Sequence, residues 1–148
     1  MPEWDSARLD PDSYLAPGLD LSVFYGDLDT NGHVNNVALG RYFEMGRLDQ
    51  HRRTGLDKLI FKDGGAQLVA RVSIDYLAES HLGSMHVRTR VAKIGRSSVI
   101  EEQAAFQNDR CVGLAEVVFV RLQDGKPSPW AEVERKIYEA MVVHPVRG

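Results

Sequence analysis

Four strand-like segments lie between residues 66 and 122, and they limit the fold more than any other feature of the sequence. Segments 66–79 and 84–94 alternate apolar and polar residues, whereas 111–122 has apolar residues on both faces. A period of two is typical of strands with one buried face. The connections are short: the turn at 95–97 and the pair Asn108–Asp109 leave no room for a crossover, so consecutive strands must be antiparallel. The predicted strands are 66–79, 84–94, 98–107 and 111–122.

One long helix is predicted ahead of these strands. Asn35 or Asn36 can cap its first turn with a side-chain oxygen, and Gly55 is placed to end it. One helix cannot cover both faces of a sheet, so we expect it to lie across one face, where Gly40 and Gly46 would allow a close approach. The apolar stripe that would face the sheet consists of Leu39, Tyr42, Phe43 and Gly46.

The remaining segments complete an α+β architecture of one domain, residues 1–148, in which a long helix packs on a five-stranded antiparallel sheet. Residues 1–20 contain several proline and aspartate residues, which predicts an irregular N-terminal segment. The other predicted elements are an opening strand at 21–25, a loop at 58–65 and, within a C-terminal helix and tail at 129–148, a short helix at 130–141.

The composition excludes several classes of protein. A formal net charge of −3 with interspersed signs predicts no nucleic-acid partner and no basic membrane face. No apolar run is long enough to predict a membrane span. Because Cys111 is the only cysteine, neither an intrachain disulfide nor a cysteine-based zinc site is expected. These features predict a cytoplasmic protein.

The junction between the opening strand and the helix is a dense polar segment, DLDTNGHVNN, at residues 27–36. The free N–H groups of a helix N-terminus can stabilise a carbonyl oxygen. The carboxylate of Asp29 can attack a carbonyl carbon or deprotonate water, His33 can share the role of base, and Asn31 can hold a water. Which group is the base stays open. In a simpler interpretation, His33 and Asn35 only form a capping turn.

A calcium site is the sharpest alternative for this segment. Asp27, Asp29 and Asn31, followed by Gly32, match the opening of an EF-hand loop. That loop requires a bidentate glutamate at its twelfth position, which is Ala38 here, and the preceding segment is predicted to be a strand rather than a helix. We therefore expect a protein with no cofactor and no required metal.

Three motifs follow one another along the chain: Asp29-x-Asn31-x-His33-Val34-Asn35-Asn36, then Asp75-Tyr76-Leu77-Ala78-Glu79, then Ile94-Gly95-Arg96-Ser97-Ser98. With the predicted element order, they resemble the hot-dog fold thioesterases, both the 4-hydroxybenzoyl-CoA thioesterase-like branch and the plant acyl carrier protein (acyl-ACP) thioesterases. The resemblance covers roughly residues 20–122, and the first motif is its most specific part.

The resemblance implies a hot-dog fold and a catalytic set of four residues. Asp29 matches the catalytic carboxylate of the family, and Asn31, His33 and Glu79 match additional catalytic positions of the acyl-ACP branch. The 4-hydroxybenzoyl-CoA branch usually lacks that asparagine and histidine, so the chain departs from it there. Whether the carboxylate acts as nucleophile or as general base stays open.

The expected activity is hydrolysis of an acyl thioester, with acyl-CoA as the first choice of substrate and acyl-ACP as the other. The helix N-terminus at Asn35 and Asn36 is expected to contact the thioester, and the turn at Arg96, Ser97 and Ser98 to contact the phosphates of CoA. Two alternatives are a non-hydrolytic module that binds acyl-CoA and a hot-dog dehydratase.

The resemblance also implies a homodimer, or a dimer of dimers, that continues the sheet across two subunits. Such an assembly would place the active sites at the interface, so that Asp29 and Glu79 could meet from different chains.

Overall fold

The computed structural model describes residues 6–143, and local sequence signals account for most of its elements. Short 3-10 turns lie at Ser6–Leu9, Pro11–Ser13 and Tyr25–Asp27. The helices are α1 Asn36–Thr54, α2 Leu56–Ile60 and α3 Glu132–Ala140. The strands are β1 Leu19–Ser22, β2 Gly65–Tyr76, β3 Ser84–Ile94, β4 Ser98–Gln107, β5 Arg110–Gln123 and β6 Lys126–Pro127.

The strands form one antiparallel sheet in the order β1-β3-β4-β5-β2, and the two-residue β6 pairs with β5. The strand after the helix, β2, therefore lies at an edge of the sheet rather than beside β3. The left-handed φ angles of Asn108 (52°) and Asp109 (60°) make the tight β4–β5 connection; asparagine and aspartate tolerate this conformation better than most residues. The predicted α+β architecture is confirmed, with the small β6 added to the five expected strands.

Helix α1 begins and ends where its capping residues predict. Asn35 Oδ1 accepts the N–H of Ala38 at 2.8 Å, and Gly55 takes a left-handed conformation, with φ of 80°, at the other end. The predicted stripe is buried against the helix-facing side of the sheet, where it meets Met85 and Val87 of β3. This face of α1 holds the helix across one face of the sheet, as predicted.

Only one of the two helix glycines is explained by close packing. A Cβ atom added to Gly46 would lie 2.5 Å from Cγ1 of Val87, closer than two carbon atoms can approach. A Cβ atom added to Gly40 would lie 3.6 Å from Cδ1 of Ile74, an ordinary contact. The expectation of a close approach is correct for Gly46 and wrong for Gly40.

Several element boundaries differ from the prediction. The opening strand lies earlier, at Leu19–Ser22, and the second strand ends at Tyr76 rather than at residue 79. The predicted loop at 58–65 begins inside α2, because Leu56 and Ile60 of that helix are fully buried. Residues 1–5 of the predicted N-terminal segment and 144–148 of the predicted tail lie outside the described residues.

The outer face of the sheet is covered by the segment before β1. Tyr14 packs edge-on against Phe106, and the guanidinium of Arg90 lies 4.8 Å from the centre of the Tyr14 ring. Arg90 also pairs with Glu102 at 3.2 Å and is 7% exposed. Arg90 is therefore part of the packing on this face rather than a solvated surface residue. In the described part of the chain, no helix is long and apolar enough to cross a membrane.

Candidate active site

The loop that carries Asp29 is closed by its own hydrogen bonds. Oδ1 of Asp29 accepts the backbone N–H groups of Asn31 at 2.8 Å and His33 at 3.0 Å. The backbone N–H of Asp29 donates to the carbonyl oxygen of His33 at 2.8 Å. These hydrogen bonds lower the pKa of the Asp29 carboxyl, first that of His33 and then that of Asn31, because they stabilise its charged form. Asp29 is therefore an ionised, exposed carboxylate in a fixed position.

A second loop brings Glu79 to the same place. Nε2 of His33 lies 3.2 Å from Oε2 of Glu79, and the backbone N–H of Val34 donates to the carbonyl oxygen of Ser80 at 2.8 Å. These contacts join the segment after β2 to the Asp29 loop within one chain. A single chain therefore brings Asp29 and Glu79 to one cavity, and a homodimer that places them on different subunits stays a prediction.

The two loops and the start of α1 enclose an open cavity of about 340 Å3. The lining combines polar side chains with apolar ones, as binding of an acyl group next to a reactive carbonyl requires. The cavity is lined by Asp29, His33, Val34, Asn36, Leu39, Tyr76, Leu77, Ala78, Glu79 and Ser80.

The N-terminus of α1 reaches the cavity at Asn36. The N–H of Ala38 is taken by the Asn35 cap, and that of Leu39 by the carbonyl oxygen of Asn35. Within residues 6–143, the N–H groups of Asn36 and Val37 have no hydrogen-bond partner. These two amides, with the helix dipole behind them, are available to a carbonyl oxygen of a substrate. Asn35 serves the site as the cap that orients this helix turn.

Asn31 and the Arg96 turn occupy other positions. The side chain of Asn31 is exposed and is not part of the cavity lining; its backbone N–H is the group that touches Asp29. The turn at residues 96–98 lies at the end of β3 that is farther from the cavity. At about 3.3 Å per strand residue, the length of β3 separates the turn from the cavity by roughly 30 Å. Within one chain the structure does not bring this turn to Asp29, and its role in binding stays a prediction.

Sequence reasoning missed three residues close to the site. Tyr76 lines the cavity, and its hydroxyl lies 3.4 Å from the carbonyl oxygen of Asn36. The exposed ring of His81 meets that of His33 edge-on, with 4.9 Å between ring centres. Asp27 lies below the Asp29 loop and is bound by Arg41 and Tyr42. Tyr76 belongs to the second motif and Asp27 begins the polar segment, so both carried a signal in the sequence.

The contacts of Asp27 also bear on the calcium alternative. Its carboxylate accepts hydrogen bonds from Tyr42 Oη at 2.7 Å and from Arg41 at 2.5 Å, so both oxygens are occupied. Among residues 6–143, no group of three or more histidine, cysteine or acidic side chains is arranged to hold a metal ion. The independence of activity from metal stays a prediction, to be checked with a chelator.

Comparison with known proteins decides the family. A model of the thioesterase-like superfamily matches residues 23–137. The chain belongs to the thioesterase-like superfamily. A member from Thermus thermophilus, a thioesterase solved in complex with coenzyme A and zinc, is 32% identical over 86% of this chain and 95% of its own, with a TM-score of 0.75. No curated protein matches the sequence significantly.

More distant structures share the fold of this superfamily member. A predicted thioesterase from Bacillus stearothermophilus is 24% identical over 86% of this chain and 96% of its own, with a TM-score of 0.77. A 1,4-dihydroxy-2-naphthoyl-CoA thioesterase from Synechocystis is 16% identical over 81% of this chain and 93% of its own, with a TM-score of 0.73. The predicted hot-dog fold is confirmed, and family membership supports hydrolysis of a thioester as the general activity.

Proposed function

We propose that this protein hydrolyses acyl-CoA thioesters to the free acid and CoA. The observation that carries the proposal is the convergence of the ionised Asp29 carboxylate, the His33–Glu79 pair and Asn36, the first residue of α1, on one cavity that also has apolar lining residues. Each group faces a part of a thioester that needs it: the carbonyl carbon, the attacking water and the carbonyl oxygen. The absence of disulfide pairing potential favours a cytoplasmic setting.

In this mechanism the amides of Asn36 and Val37 hold the thioester carbonyl oxygen as it gains negative charge. Asp29 attacks the carbonyl carbon or removes a proton from water that does so. The C–S bond then breaks and CoA leaves as a thiolate. If Asp29 attacks directly, a mixed anhydride forms, and water cleaves it to release the acid and regenerate the carboxylate.

The hydrogen-bonded state of Asp29 bears on the choice between these routes. Its lowered pKa keeps it charged at neutral pH but makes it a weak acceptor of protons. The His33–Glu79 pair lies beside it and offers a second acceptor. Glu79 next to Nε2 favours a proton on that nitrogen, which leaves Nδ1 of neutral His33 as an acceptor. We therefore assign the activation of water to His33, oriented by Glu79.

The edge strand β2 is the proposed dimer interface. Leu68, Val69, Val72 and Tyr76 of this strand are 42–51% exposed although they are large and apolar, and an edge strand with such side chains is normally covered or paired. Antiparallel pairing of two β2 strands would continue the sheet.

This pairing would also bring the distant turn to the cavity. Across one chain, Ser98 pairs with Val120, and Val120 pairs with Leu68 near the start of β2. Antiparallel pairing places the start of the partner's β2 opposite the end of this chain's β2 at Tyr76. The partner's turn at residues 96–98 would then lie on the same side as the cavity, where it could bind the phosphates of CoA.

Thiol release from a panel of acyl-CoAs, detected with a thiol reagent, tests the proposal. Hydrolysis predicts stoichiometric thiol and free acid. An acyl-CoA-binding module would bind the panel without releasing thiol, and a dehydratase would convert 3-hydroxyacyl-CoA to the enoyl thioester with the C–S bond intact. The same acyl groups on acyl carrier protein distinguish the two carriers. The absence of thiol release from every thioester would contradict the proposal.

A further inference from the structure

Asp27 is a buried carboxylate next to the catalytic loop, and the proposed mechanism does not use it. It is 6% exposed, and its side chain reaches back to helix α1. Oδ2 accepts the hydroxyl of Tyr42 at 2.7 Å, and Oδ1 accepts Nη2 of Arg41 at 2.5 Å. A buried charge without partners would be costly, so these contacts indicate a position that the fold maintains.

The backbone of Asp27 is tied to the other end of the loop. Its carbonyl oxygen accepts the N–H of Asn35, the residue that caps α1, at 3.0 Å. Its side chain thus binds the second turn of the helix while its backbone binds the residue before the first turn. Asp27 lies just before the loop that carries Asp29, Asn31 and His33, and its carbonyl oxygen binds Asn35 at the other end of that loop.

We propose that Asp27 is a positioning residue, whose bond to Tyr42 holds the Asp29 loop and the first turn of α1 in one fixed relation. The inference rests on the proposed function, because the positioned groups are Asp29 and the carbonyl-binding amides of Asn36 and Val37. Asp29 follows the anchor by two residues, and the amides follow Asn35, which Asp27 binds, so loss of the anchor would move one against the other. A misplacement of about 1 Å at such a site costs as much as a hundredfold in rate.

The hydrogen bond from Tyr42 should hold Asp27 in place more strongly than the ion pair with Arg41. Tyr42 is buried and its hydroxyl also accepts the N–H of Phe24 at 3.2 Å, whereas the side chain of Arg41 is 59% exposed. An exposed ion pair is screened by water and contributes little. The pKa of Asp27 is lowered first by the Tyr42 hydrogen bond and then by that of Arg41, in agreement with this order.

The activity test compares Asp27→Asn and Tyr42→Phe with a matched control. The control is Tyr138→Phe, which also removes a buried tyrosine hydroxyl, one that contacts Gln67. Tyr138 packs in a different core cluster, with Trp130 and Leu56. We expect the kcat of Asp27→Asn and Tyr42→Phe to fall about ten- to a hundredfold with KM changed less than about threefold. Tyr138→Phe should keep its kcat whatever it loses in stability.

Combination with Asp29→Asn and His33→Ala separates positioning from general destabilisation. If Asp27 acts by positioning Asp29 and His33, adding Tyr42→Phe to the variant that carries both changes should lower kcat by less than about twofold, because both positioned groups are already gone. A fall of about tenfold or more in that background, or a single variant whose melting temperature falls while kcat is unchanged, would overturn the inference.

Amide hydrogen exchange gives a readout that does not need activity. The N–H groups of Val34 and Asn35 should exchange about tenfold faster in Asp27→Asn and Tyr42→Phe, and at the wild-type rate in Tyr138→Phe after correction for global stability. If the wild-type protein hydrolyses no thioester, the proposed function fails, and exchange alone decides whether Asp27 anchors the loop. Unchanged exchange at both amides would overturn the inference.

Discussion

His33 Nε2 lies 3.2 Å from Glu79 Oε2, and this contact joins two loops that are separated along the chain by helix α1 and strand β2. The adjacent bond from the Val34 N–H to the Ser80 carbonyl oxygen holds the loops together through the backbone. The Glu79 side chain is 70% exposed, so its bond to His33 contributes little to stability. In the proposed mechanism this bond orients the imidazole of His33.

Asp29→Asn tests the role of the Asp29 carboxylate in turnover. The variant keeps the size of the side chain and an oxygen for the amides of Asn31 and His33, so folding should change little. We expect kcat to fall about a hundredfold or more, the scale of a lost positioned base or nucleophile. Asp49→Asn is the control, since Asp49 lies on α1 in an exposed pair with Arg53. Wild-type turnover in Asp29→Asn would contradict the mechanism.

His33→Ala tests the role of the imidazole through the pH profile of kcat. A base must be unprotonated to act, so on the acidic side of the profile the rate should rise with pH as the base loses its proton. Removal of His33 should lower kcat and abolish this acidic limb. Glu79→Gln should lower kcat less and keep the limb, because it removes the orienting charge and leaves the titrating ring. An acidic limb that survives in His33→Ala would assign the base to another group.

Arg96→Ala tests the phosphate-binding turn. Phosphate contacts stabilise the bound substrate and the transition state equally, so KM for acyl-CoA should rise far more than kcat falls. The wild-type KM should also rise with ionic strength, and this dependence should weaken in the variant. A short thioester without the nucleotide of CoA is the control substrate, and its KM should respond to neither change. A KM for acyl-CoA that is insensitive to both would place the phosphate site elsewhere.

Val72→Lys tests the proposed dimer. Val72 is 43% exposed in the single chain, so a lysine there should leave the fold intact but oppose the pairing of two β2 strands. Sedimentation should show at least a dimer for the wild type and a shift to monomer in the variant, with reduced kcat/KM for acyl-CoA. Val133→Lys, at a similarly exposed position on α3, should change neither. A fully active wild-type monomer would refute the interface.

Two glycine substitutions on α1 test the packing of the helix on the sheet. Gly46→Ala places a methyl group 2.5 Å from Val87 Cγ1 and should lower the free energy of unfolding by about 1–3 kcal/mol, as overpacking does. Gly40→Ala makes only an ordinary contact with Ile74 and should raise it by up to about 1 kcal/mol through helix propensity. Urea unfolding measures both, and equal effects would contradict the geometry described for α1.

The amino-acid sequence by itself determined the elements and the chemistry available to them. The period of two in β2 and β3, the stripe from Leu39 to Gly46 and the caps at Asn35 and Gly55 all depend on residues within a few positions of one another, so each is readable without the fold. For the same reason the polar segment around Asp29 and His33 could be placed at the start of the helix.

Only the tertiary structure decided which of these groups meet. The contact of Glu79 with His33, the burial of Asp27 against Tyr42 and the distance of Arg96 from the cavity all follow from strand order and register. The sheet places β2 at its edge, so the loop after β2 returns to the start of α1 while the β3–β4 turn points to the opposite end. The burial of Arg90 depends on the fold in the same way, since the segment that covers it is distant in sequence. Alternation along one strand says which residues share a face, but what covers that face depends on contacts between residues far apart along the chain.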